Sequence, residues 1–136
     1  MIDLRPPRLG DVDDVWRWEC DDGPCRVSRF DVWQYIVGYV HSAHTGEMRF
    51  VIERHDDRRA VGCIDLTSID IARGSAEVGI YVAPQHRRRG YASAAVTAVC
   101  NYAATTLHLH SLSATVSVDN LPSRWLFTSA GFTPIT

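Results

Sequence analysis

Lysine is absent from this chain of 136 residues, and all 14 basic residues are arginine. No lysine side chain is therefore available for modification. Long apolar runs are missing as well; no stretch approaches the roughly 18 apolar residues that a membrane span requires. The N-terminus lacks the basic-then-apolar pattern of a secretory segment, so the expected location is cytoplasmic. Cysteine is sparse. Cys20, Cys25, Cys63 and Cys100 are scattered without paired-ligand spacing. Joining Cys20 and Cys25 with His41 and His44 matches no common zinc pattern, and no metal is expected. A Cys20–Cys25 bridge is conceivable, but a cytoplasmic location argues against it. Cys63 and Cys100 fall in apolar patterns, as small core residues do. No internal repeat, linker or low-complexity segment interrupts the chain.

What is present suffices for one domain over residues 1–136. Hydrophobic residues make up 46%, enough for a core. The net charge of −2 is unevenly spread: residues 1–70 hold 9 arginines against 14 acids, and residues 71–136 hold 5 against 2. That distribution suits an anionic ligand in the second half and a cationic one nearer the first. An acidic balance without a wider basic stripe counts against nucleic-acid binding.

Ile2 to Arg5 reads as a short strand ended by Pro6-Pro7. Asp11 is placed to cap a helix whose apolar face is Val12, Val15 and Trp16, with Asp14 in its first turn. Asp21-Asp22-Gly23-Pro24 breaks it. Ser28, with Asp31 three residues on, caps a second helix. Its apolar face reads as Phe30, Trp33, Val37 and Val40, and it is expected to run to about His41. Met48–Glu53, Ala60–Ser68 and Glu77–Val82 read as three strands with short connections, hence an antiparallel meander.

The most informative stretch follows. Val78, Ile80 and Val82 alternate against Glu77, Gly79 and Tyr81, and Pro84 ends the strand. A basic turn, Arg87-Arg88-Arg89-Gly90, leads into Ala92, Ala95, Val96, Val99, Cys100 and Ala103 at helical spacing. A strand thus delivers the chain to a helix N-terminus, whose first-turn amides have no intrahelical partner and form an anion site. Ser111–Val118 reads as a further strand, which makes the connection a parallel, right-handed crossover. A last helix carries Pro122 in its first turn and Gly131 at its end.

Arg87-Arg88-Arg89-Gly90-Tyr91-Ala92 resembles the Arg/Gln-x-x-Gly-x-Gly/Ala signature of the GNAT superfamily of N-acetyltransferases. Asn120-Leu121-Pro122-Ser123 through Ala130-Gly131-Phe132 is similar to the Asn-x-x-Ser helix ending in Gly-Phe. That form is typical of the branch resembling ribosomal-protein alanine acetyltransferases. The opening Leu4-Arg5-Pro6-Pro7-Arg8 is similar too, so the resemblance covers nearly the whole chain.

The resemblance implies an α/β fold: a mixed sheet, antiparallel meander plus parallel β-α-β crossover, flanked by helices. It implies acetyl-CoA as co-substrate and direct acetyl transfer to a primary amine, on a peptide N-terminus or a small molecule. Arg87, Arg88, Arg89, Gly90, Tyr91 and Ala92 would hold the pyrophosphate, and Tyr81 and Val82 the pantetheine arm. Glu77, the only acid on its strand, is the candidate general base; a salt bridge or an edge-strand solubility role competes. Ser123 matches a proton donor to the leaving thiolate. Asn120 caps its helix, binds the cofactor arm, or does both. His86 lies in the loop within reach of a phosphate. Relatives shape their acceptor pocket with the first two helices; core packing accounts for Trp16 and Trp33, whereas Trp18, Tyr35 and Tyr39 suit a pocket wall.

Two departures stand out. Many relatives carry a tyrosine general acid where this chain has Phe127, which cannot donate a proton. Relatives also continue beyond Gly-Phe with one or two strands, whereas only Thr133 to Thr136 remain here. The C-terminal strands therefore read as shortened, leaving an edge suited to homo-oligomer pairing. Both departures favour an alternative, a catalytically weak acyl-CoA-binding sensor or partner subunit.

Overall fold

The computed structural model describes residues 1–21 and 23–135. Asp22, part of the expected helix break, and Thr136 lie outside them. In chain order come β1 (Ile2–Arg5), α1 (Val12–Glu19), α2 (Arg29–Val37), β2 (Met48–Arg54), β3 (Ala60–Asp70) and β4 (Ser75–Val82), followed by α3 (Tyr91–Thr105), β5 (Ser111–Ser113) and α4 (Leu121–Ser129). The sheet runs β1-β2-β3-β4-β5, antiparallel except for the parallel β4–β5 pair. This is the mixed α/β architecture the sequence predicts.

Period-two alternation gives the sheet two distinct faces. On one face Met48, Phe50, Ile52, Ile64, Leu66, Val78 and Val82 pack against Ala95, Val96, Val99 and Ala103 of α3 and Phe127 of α4. The other face presents Arg49, Asp65, Thr67, Glu77, Gly79 and Tyr81. There α1 and α2 pair through a small cluster of Val15, Val32 and Ile36. No helix among the described residues is long and apolar enough to cross a membrane.

Several local expectations are corrected. Ser28 and Asp31 do form a reciprocal capping box at the start of α2. The buried face of that helix, however, is Val32 and Ile36; Phe30, Trp33, Val37 and Val40 are 61%, 45%, 56% and 60% exposed. Trp33 is therefore not a core residue but stacks on Phe30. The helix stops at Val37 with Gly38 as its C-cap. Tyr39 then turns inward: the Arg49 N–H donates to its hydroxyl at 2.8 Å, pinning the segment to β2.

Asp11 does not cap α1 through its side chain. Instead it accepts the Arg8 N–H at 2.8 Å, closing a 3-10 turn over Leu9–Asp11, and takes both terminal nitrogens of Arg5 at 2.8 Å. Arg5 also binds the buried Glu53. Cys20 and Cys25 are disulfide-bonded, contrary to expectation: the reversal between α1 and α2 brings their Cα atoms to 4.5 Å. Finally, β5 is only three residues long. Ala114 and Val116 still pack on the core, but the backbone has left β4.

Candidate active site

At the end of β4 the chain makes a 3-10 turn, Pro84–His86, and then enters the arginine loop. Arg88 and Gly90 take left-handed φ values of 63° and 83°. A left-handed arginine costs roughly 1–2 kcal/mol, a cost that persists where the surroundings over-determine it, as at ligand clamps. Alternation of backbone handedness turns successive N–H groups into one concavity, the geometry of anion nests. Among the described residues, the N–H groups of Arg88 and of Gly90 to Ser93 donate to no acceptor. Those of Tyr91, Ala92 and Ser93 are the orphan donors of the first turn of α3.

The side chains of the loop divide. Arg88 and Arg89 are exposed and form no ion pair among the described residues. Arg87 is folded back: its Nε donates to the Val82 carbonyl at 2.7 Å, and its guanidinium lies 5.6 Å over the Tyr81 ring and 3.6 Å from Asp21. It ties the loop to β4 and to the end of α1, so its charge is partly committed. Val82 likewise gives its carbonyl to Arg87. Tyr91 is buried in the core, with its hydroxyl toward Arg54. His86 is buried beneath the loop; burial first, then Arg54, Arg59 and Arg89, hold its pKa below the usual imidazole value.

β4 pairs with β5 only through Ser75, Ala76 and Glu77. From Val78 to Val82 it keeps β3 on one side and opens on the other, a splay that begins beside Glu77. Glu77 sits between Thr67 and Ser113 across the strands, half-buried, with no ion pair among the described residues. The competing salt-bridge role is therefore not taken up. Asn120 caps α4, its Oδ1 accepting the Ser123 N–H at 3.2 Å. The Ser123 hydroxyl makes no hydrogen bond among the described residues. Phe127 is buried, edge-on to Phe132 at 5.1 Å.

The α1/α2 face of the sheet carries three cavities, none of them lined by Glu77 among the described residues. One of about 270 Å³ is lined by Tyr35, Tyr39, Glu47, Arg49, Asp65 and Thr67. A second of about 290 Å³ shares Tyr35, Glu47 and Arg49 and adds Glu19 and Asp31. A third of about 140 Å³ lies between Trp18, Tyr81 and His86. Trp18, Tyr35 and Tyr39 thus do line cavities, although the Tyr39 hydroxyl is spent on Arg49 and His41.

The residue that sequence reading passed over is Arg49. Its Nε and one terminal nitrogen bind Asp65 at 2.9 Å each, and the other lies 3.6 Å from Glu19. Burial, the largest single influence, opposes its charge, but the Asp65 hydrogen bonds together with charge interactions with Cys63, Asp65 and Tyr35 outweigh it and the pKa is raised. Burial also pushes the Tyr35 hydroxyl and the Cys63 thiol beside it up to about 12. The signal was available: once β2 and β3 pair as a hairpin, Arg49 and Asp65 fall opposite each other in otherwise apolar strands.

Compared with known proteins, residues 2–133 match the family model of the acetyltransferase (GNAT) domain. Over 92 residues the chain is 32% identical to the spermidine N(1)-acetyltransferase of Vibrio cholerae, covering 68% of this chain and 53% of that protein. Over 85 residues it is 33% identical to an uncharacterized N-acetyltransferase, YoaA, of Bacillus subtilis, covering 62% and 48%. The matched stretch spans about half the length of these curated relatives. In fold it is similar to the crystal structure of the V. cholerae spermidine N-acetyltransferase in complex with CoA and spermine. The TM-score is 0.89 at 24% identity, over 99% of this chain and 82% of that one.

Proposed function

The chain belongs to the acetyltransferase (GNAT) family, and on that premise we propose that it moves an acetyl group from acetyl-CoA directly to a primary amine of a small polyamine. The observation that carries this reading is the run of acceptor-free N–H groups from Gly90 to Ser93, set beyond the end of the strand, β4, that opens away from β5. The pyrophosphate would sit on those amides, with Arg88 and Arg89 adding charge, and the pantetheine arm would follow the open edge of β4 at Tyr81 and Val82. Glu77, uncommitted at the start of that opening, would accept the proton of the attacking amine, directly or through water. Ser123 would return a proton to the thiolate, and Asn120 would hold the first turn of α4.

The acceptor class follows from charge. Glu19, Asp31, Glu47 and Asp65 line the two larger cavities of the α1/α2 face, with Arg49 as their single cation among the described residues. A polycation suits that lining better than a peptide N-terminus, and the V. cholerae relative is named for spermidine. These relatives therefore draw the reading from the ribosomal-protein branch toward polyamines. Phe127 keeps a second reading in view, a weakly catalytic acyl-CoA sensor.

The test is calorimetry with acetyl-CoA, then turnover on a panel of spermidine, spermine, free amino acids and peptides, with Glu77→Gln alongside. Expected are cofactor binding in both proteins, turnover of the polyamines, and a loss of roughly 10²-fold in kcat for the variant. Cofactor binding without turnover of any amine would favour the sensor. Absence of binding by folded protein would sink both readings.

A further inference from the structure

Glycine inside a strand costs about 0.5–1 kcal/mol relative to alanine, so it persists for a reason. Gly62 has one: a Cβ there would run into the Tyr81 carbonyl of the neighbouring strand. Gly74 has two, a left-handed φ of 70° and the His110 ring packed against it. Gly79 has neither. Its φ lies outside the left-handed region, and a Cβ built on it meets nothing within 4 Å. Neither φ nor a clash among the described residues demands glycine at the middle of β4, and one physical use of a strand glycine is close approach by a ligand.

The surroundings say what would approach. Gly79 shares its face with Glu77 and Tyr81, each about 7 Å away along the strand. Across β3 it faces Asp65. Asp65 and Thr67 line the cavity on one side and Tyr81 and Trp18 the cavity on the other; Gly79 is exposed, lines neither among the described residues, and lies along β4 between them. Two carboxylates and an aromatic ring border a floor without a side chain. From this geometry we infer that Gly79 is the specificity-determining position of the acceptor groove: it gives an unbranched polyamine chain room to cross β4 with a nitrogen beside Glu77, Asp65 across the strand being held by Arg49. The inference rests on the acetyltransferase reading above.

The test is the series Gly79→Ala, Gly79→Val and Gly79→Leu in the full chain, with spermidine as the amine. Thermal melting, acetyl-CoA calorimetry and steady-state kinetics are measured on each. Melting temperature should hold or rise for Gly79→Ala, since a Cβ there meets nothing within 4 Å and β propensity improves, and it reports separately whether the larger variants fold. Acetyl-CoA affinity should stay within about threefold while KM for spermidine rises with side-chain size, about tenfold or more at leucine, with kcat little changed, as for lost ground-state binding. If wild-type protein binds spermidine without turning it over, the calorimetric Kd for spermidine takes the place of KM. A folded leucine variant with unchanged KM overturns the role of Gly79 and leaves the acetyltransferase reading standing. Loss of acetyl-CoA binding instead would assign Gly79 to the cofactor and overturn it as well. Wild-type protein that neither acetylates nor binds spermidine overturns both.

Discussion

Replacing Arg49 with methionine should destabilise the fold by about 2–3 kcal/mol, and most of that loss should vanish when Asp65→Asn is added. Breaking a fully buried ion pair costs about 3–5 kcal/mol, because the orphaned charge stays desolvated. Here the side chains are 20% and 24% exposed, so water recovers part of it, which sets the lower figure. The geometry is bidentate at 2.9 Å, and loss of Arg49 would leave the Asp65 and Glu19 carboxylates facing each other without a cation. Combining Arg49→Met with Asp65→Asn removes the orphaned charge, so the two substitutions should couple by about 1.5–2 kcal/mol. For a chain of this size the single substitution corresponds to roughly 10 °C in Tm. Urea denaturation of the four proteins of the cycle, with a common m-value, measures the coupling. Additive losses, with coupling under about 0.5 kcal/mol, would show that the clamp does not organise this face.

The loop arginines should separate by role. Arg88→Gln and Arg89→Gln should each weaken acetyl-CoA binding about fivefold, near 1 kcal/mol, and less at high salt. Arg87→Gln should instead lower Tm, since it releases the Val82 carbonyl; calorimetry showing that Arg87 alone governs affinity would contradict this. Stability should also depend on pH through His86. Its folded pKa is depressed, so its contribution is complete above the unfolded value of about 6.5 and is lost as pH falls from there through the folded value. His86→Gln should flatten the decline in Tm between about pH 7 and pH 5, with the lowered His41 supplying what remains. An unchanged slope would rule out burial of neutral His86 as the cause.

The stretch from β4 to α3 was the most legible part of the chain, because its punctuation is local. Pro84 ends the strand, Gly90 supplies a left-handed turn, and the apolar period changes from two to nearly four between them. The capping box of Ser28 and Asp31 was legible for the same reason. The face of α2 was not. Phe30, Trp33 and Val37 compete with Val32 and Ile36 for the same helix, and periodicity cannot choose when apolar residues surround it. The choice is made by α1, which offers Val15 to only one of those faces. Nor was the end of β5 legible. Leu112, Ala114 and Val116 keep their alternation beyond Ser113, but pairing depends on where β4 lies, and no local signal records the splay. Asp11 and Arg49 share this origin. Asp11 reads as a helix cap until the turn after β1 brings Arg5 to it, and Arg49 draws no notice until strand register sets Asp65 opposite.

Phe127 shows how the two levels combine. The substitution of phenylalanine for the tyrosine of many relatives is visible in the sequence, but its consequence is not. In the structure the ring is buried and edge-on to Phe132, whose N–H closes the end of α4 on the Phe127 carbonyl at 2.9 Å. The position is held by packing at the helix terminus, which an apolar ring satisfies without a hydroxyl. A phenylalanine there therefore leaves the fold intact, and the transfer proposed above would draw its proton from another group. Ser123 lies one helical turn earlier on the same helix, and its hydroxyl is spent on no hydrogen bond among the described residues. The backbone N–H of Ser123 is held by Asn120, which fixes the first turn while leaving that hydroxyl uncommitted. Capping by Asn120 and proton donation by Ser123 are thus compatible within one turn of α4, and the chemistry proposed for this chain does not require a tyrosine at position 127.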